Sequence, residues 1–64
     1  MTKLTKNEML EAIINARTKK MSYTDILNAY DYVEFKPYNY VLRVYDAFLF
    51  DKEHAEFYYA LLVR

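Results

Sequence analysis

None of the 64 residues is glycine, and this absence constrains the fold more than any residue present. Two-residue β-hairpins close through turns with positive φ, for which glycine is the usual residue. Without it, the tight hairpin turns have no preferred residue. The most strand-like stretch, Tyr40–Tyr45, must then be judged by its period. Asn39, Arg43 and Asp46 are four and three apart, a helical polar stripe. Strand alternation would set Arg43 on one face and Asp46 on the other, each among apolar neighbours. The spacing predicts a helix over about Pro37 to Phe50. Pro37 would open it, because its missing N–H costs nothing in the first turn.

The other segments carry helix signals of their own. Thr5-Lys6-Asn7-Glu8 has the form of a capping box and predicts helix 1 from about Lys6 to Lys19. Met9 or Leu10, Ile13, Ile14 and Arg17 would face inward. Arg17, Lys19 and Lys20 read as a solvated helix end, where the macrodipole favours bases. Ser22 with Asp25 three residues on predicts a second start, and helix 2 would cover about Tyr23 to Tyr32. Ile26, Ala29, Tyr30 and Val33 form its buried stripe. Asp51 reads as the N-cap of helix 4, with His54, Phe57, Tyr58, Leu61 and Leu62 as its apolar face and Tyr59 and Val63 widening it. The expectation is an all-α fold: a single domain spanning residues 1–64, a small bundle of three long helices plus one short. Residues 1–4 would form a loose arm, and helices 2 and 3 would meet in a corner like that of a helix-turn-helix.

A chain this short buries only about 60% of its unfolded surface and needs a rich core, a staple or a partner. There is no cysteine and a single histidine, which excludes disulfides, thiolate metal sites and histidine clusters. No cofactor and no metal are expected. Asp51 and His54 have the i, i+3 spacing of carboxylate–histidine ligands in helical bundles. Such a site needs a second histidine, so the plainer reading is a cap residue beside a surface histidine. No nucleophile constellation and no glycine-rich phosphate loop accompany them, and the chain does not read as an enzyme. Net charge is zero, so nothing global draws it to nucleic acid or an anionic membrane. No apolar run approaches the roughly 18–20 residues of a membrane span, and no signal-peptide core is evident. The expectation is a cytoplasmic protein with no membrane partner. Its apolar helix 4 and small size point to a homodimer.

The positive clue is aromatic. Eight tyrosines and four phenylalanines exceed what so small a core holds, and residues 30–50 carry most of them. Tyrosine is enriched at interfaces. It also rims small cores with a wet hydroxyl, which is the blander alternative for any single tyrosine. Clustered at the helix 2–helix 3 corner, Tyr32, Phe35, Tyr38 and Tyr40 read as anchors for a protein partner, with Asp31 and Glu34 steering a basic surface towards them. The expected function is a non-catalytic regulator or inhibitor that binds another protein. In its size, its lack of glycine and its tyrosine content the chain resembles phage or mobile-element accessory proteins that block a host enzyme, a likeness of style rather than motif. The alternative is a helix-turn-helix DNA-binding regulator, with Lys19, Lys20, Lys36, Asn39 and Arg43 meeting phosphates and bases.

Overall fold

The computed structural model describes residues 3–64, and all of its regular structure is helical. Helix α1 spans Lys6–Ala16, α2 Tyr23–Glu34, α3 Tyr38–Leu49 and α4 Ala55–Leu62, with a 3₁₀ turn at Lys52–His54 before α4. The arm expected over residues 1–4 falls partly outside the described residues. Its described end is tied down, because the Tyr38 hydroxyl donates to the Leu4 carbonyl at 2.7 Å.

The predicted starts of α1 and α2 are those observed. Thr5 Oγ1 accepts from the Glu8 amide and Glu8 Oε1 from the Thr5 amide, a complete capping box. Ser22 Oγ accepts from the Asp25 amide. The ends differ from expectation. Helix α1 stops at Ala16, three residues before Lys19, because Arg17 turns to extended backbone at φ −73°, ψ 146°. Arg17, Lys19 and Lys20 therefore belong to the α1–α2 connection, not to a basic last turn. Helix α2 continues two residues beyond Tyr32, to Glu34. Pro37 is the N-cap of α3 rather than its first residue, its carbonyl accepting from the Tyr40 and Val41 amides. Asp51 does not cap α4 through its side chain; that carboxylate is occupied elsewhere, and the chain makes a 3₁₀ turn first.

Helix α1 is the hub, packing on α2, α3 and α4, while α3 and α4 pack on each other. The core is Met9, Leu10 and Ile13 of α1, Ala29 and Val33 of α2, Val41, Val44 and Phe48 of α3, and Ala55 and Leu62 of α4. On α4 the expected stripe holds at Tyr58, Leu61 and Leu62 and fails at its start. Ala55, Tyr58, Tyr59 and Leu62 turn inward or pack against the core, whereas His54 and Phe57 are exposed. The radius of gyration of 10.8 Å equals the roughly 11 Å expected for a folded chain of this length, so one copy closes its own core. Helix α2 differs from the rest in packing chiefly on α1 and only lightly on α4.

Two long-range side chains fasten this arrangement. Arg17 lies 4.0 Å from the Tyr59 ring centroid and forks Glu56, with Nε to Oε1 at 3.0 Å and Nη2 to Oε2 at 2.9 Å. That fork holds the Glu56 carboxyl below its ordinary range. Burial pushes the Tyr59 phenol up. Lys6 reaches from α1 to the end of α2 and donates to the carbonyls of Glu34 at 2.7 Å and Lys36 at 3.0 Å. The Glu34 carbonyl is one that a helix end leaves without an intrahelical partner, and that of Lys36 lies in the turn to α3.

Candidate protein-binding face

Helix α2 turns Ala29 and Val33 into the core, with Ile26 and Tyr30 half-buried beside them. At 100° per residue, the opposite side is a row at i, i+4, i+8 and i+12: Tyr23, Leu27, Asp31 and Phe35. Asn28 and Tyr32 flank it. No major helix packing covers this side. Phe35 is 87% exposed, Tyr23 76%, Tyr32 51% and Leu27 44%. Asn28, Asp31, Tyr32 and Phe35 line an open depression of about 440 Å³. Across Tyr32 runs a second cleft of about 360 Å³, bordered by Lys19 and Lys20 of the connection and by Asn28 of α2. Tyr32 thus divides a hollow holding Asp31 from one holding Lys19, Lys20 and Asp25.

The six residues expected to form the partner surface separate into two groups. Asp31, Tyr32, Glu34 and Phe35 are all exposed on α2 and at its C-cap. Tyr38 and Tyr40 are fastened into the fold. Tyr38 is half-buried, packs on the core and bonds Leu4. The Tyr40 hydroxyl donates to the Leu61 carbonyl at 3.1 Å, with Lys36 Nζ 5.5 Å from its ring. The corner therefore presents Tyr32 and Phe35 outward and uses the other two aromatics to hold α3 against the arm and α4. Tyr23, Leu27 and Asn28 join the face without having been expected there. The spacing of 23, 27, 31 and 35 was the available signal, hidden because Leu27 and Asn28 are unremarkable one at a time.

The residues of the nucleic-acid alternative fall into two groups, Lys19 with Lys20 and, around Tyr40, Lys36 with Asn39 and Arg43. Lys19 and Lys20 border the cleft beside Tyr32. Asn39 and Arg43 line a separate one with Asp46. Lys36 donates to the Arg64 carbonyl at 3.2 Å. At the far end of the bundle, His54 Nδ1 and Asp51 Oδ1 lie 2.7 Å apart, and the Tyr58 hydroxyl donates to Asp51 Oδ2 at 3.0 Å. The bonds from His54 and Tyr58 hold the Asp51 carboxyl below its usual range. The same contact raises His54, and the bond to Asp51 raises Tyr58. This cluster fastens the 3₁₀ turn to α4. Among the described residues no three histidine, cysteine or acidic side chains stand together as metal ligands.

No family model, characterised protein or solved structure matches this chain.

Proposed function

We propose that this protein is a small non-catalytic regulator or inhibitor, working in the cytoplasm, that binds another protein through the outward face of α2. The observation that carries the reading is the row on α2. Tyr32 and Phe35 stand exposed beside one hollow, with Leu27 and Tyr23 exposed further along the same helix, and exposed aromatic surface of this kind supports a contact site. Tyrosine and phenylalanine supply area at low entropic cost. Asp31 and Glu34 at the acidic end favour approach by a basic surface. Tyr38 and Tyr40 bond the Leu4 and Leu61 carbonyls, so the reading gives the anchor roles to Tyr32 and Phe35.

The test is capture from lysate with the tagged protein, followed by affinity measurement on the species recovered. Loss of a central aromatic anchor costs about 2–4 kcal/mol of binding, so Phe35→Ala and Tyr32→Ala weaken capture by roughly thirtyfold or more. Phe50→Ala, at a residue 93% exposed on another element, leaves it unchanged. Equal capture by the parent and both α2 variants refutes the assignment of this face.

A further inference from the structure

We infer that the outward row of α2 also receives α2 of a second copy of this chain, packed antiparallel about a two-fold axis. The inference rests on the reading of that row as a contact surface and names one occupant of it.

Area supports a pairing. A fully buried aromatic side chain contributes about 150–250 Å². Tyr23 and Tyr32 lie half a turn apart around α2, so one seam takes Phe35, Leu27 and one of the two tyrosines, which at their exposures offer about 350–400 Å² for burial. Lys19, Lys20, Asn28 and Asp31 bring this towards the roughly 800 Å² per partner of a stable interface.

Charge selects the direction. Helix α2 contains Asp25, Asp31 and Glu34 and no base. A parallel pair would set Asp31 beside its own copy. An antiparallel pair reverses the row. Tyr23 then falls opposite the other copy's Phe35 and Leu27 opposite its Asp31, with the Asn28 amide beside that carboxylate. Lys19 and Lys20 line the cleft on the Tyr32 side of the row. In the antiparallel register they approach the aromatic and acidic end of the other copy, where a cation finds both a carboxylate and ring faces. The contact occurs twice, as a two-fold interface requires. The net charge of zero leaves no global repulsion to oppose it.

The test is sedimentation equilibrium of the full chain from micromolar to several hundred micromolar, with circular dichroism to establish that each variant is folded. The parent is expected to sediment at twice the 7.8 kDa chain mass. Phe35→Ser raises the dimer dissociation constant about thirtyfold or more. The double variant Lys19→Glu, Lys20→Glu and the single variant Asp31→Lys each sediment as monomers, because each sets like charges against one another. An equimolar mixture of these two variants recovers the dimer, since each then offers the charge that the other lacks. A parent that stays monomeric throughout overturns the inference, and so does a dimer that all three variants preserve or a mixture that stays monomeric. A monomeric parent whose Phe35 variant still loses the captured protein overturns the dimer and leaves the proposed function standing. A dimer with this charge pattern whose α2 variants capture normally supports the dimer and removes the proposed function.

Discussion

Lys6 offers the sharpest test of how the α2–α3 corner is held. Its ammonium joins the start of α1 to two carbonyls at the end of α2, where the helix dipole also favours a cation. Lys6→Met keeps most of the stem and removes both bonds. A hydrogen bond to a charged group contributes about 1.5–3 kcal/mol. Lys6 is only half-buried and one of the two bonds is exposed, so solvent reduces the pair to about 1–2 kcal/mol together. In a 60–100-residue domain each kcal/mol moves the melting temperature by about 4–8 °C. The expected fall is therefore about 5–15 °C. Thermal circular dichroism measures it, and amide hydrogen exchange should place the loss of protection in the last turn of α2. Lys6→Arg, which retains a cationic donor, should recover most of the loss, and Lys52→Met, an exposed position, should change little. A Lys6→Met melting point within about 1 °C of the parent would refute the reasoning.

Phe48 is 2% exposed, and Phe48→Ala should cost about 3–5 kcal/mol against a total stability of about 3–10 kcal/mol for a chain of this length. Urea titration should find the unfolding midpoint of this variant lowered by about a third or more. Phe35→Ala should stay within about 0.5 kcal/mol of the parent, while Tyr38→Phe, which loses only the bond to Leu4, should cost about 0.5–1.5 kcal/mol. The Asp51–His54 pair sets a pH window. Asp51 is lowered, so its contribution is present above the ordinary carboxylate value of 3.8 and is lost as pH falls through its folded value. His54 is raised, so its contribution is complete below the ordinary 6.5 and is lost as pH rises through its folded value. The melting temperature should therefore be best supported between these ordinary values, and His54→Asn should flatten the alkaline side of the profile measured by circular dichroism.

The starts of α1 and α2 were legible because their signals are local. Thr5 with Glu8 and Ser22 with Asp25 state the α1 and α2 caps within four residues. The polar stripe of Asn39, Arg43 and Asp46 sufficed to identify α3 despite its strand-prone composition. What the sequence hid was non-local. Arg17 leaves α1 where its side chain meets Glu56 and Tyr59, 39 and 42 positions away. No short window contains that contact. The start of the α4 face, His54 and Phe57, was misjudged for a different reason: in AEFYYALL only Glu56 is charged, so too few polar residues mark which side is wet. Of the candidate surface, Tyr32 and Phe35 were legible from aromatic excess. The roles of Tyr38 and Tyr40 depend on carbonyls of Leu4 and Leu61 that no pattern announces.

No described residue has a positive φ, and this governs how the chain tolerates substitution. The turns after α2 and α3 are made at Phe35, with φ −84° and ψ −5°, and at Phe50, with φ −92° and ψ −3°. Helices commonly end on a left-handed residue, usually glycine; these two end on conformations open to ordinary L-residues. The backbone thus places almost no demand on side-chain identity at positions 35 and 50, and their near-complete exposure removes the demand of packing as well. A saturation scan read by folded yield should find both sites permissive to polar residues, many of which would improve solubility. The same scan read by binding should remain permissive at 50 and become restrictive at 35, so that the difference between the two maps isolates what phenylalanine does there apart from folding.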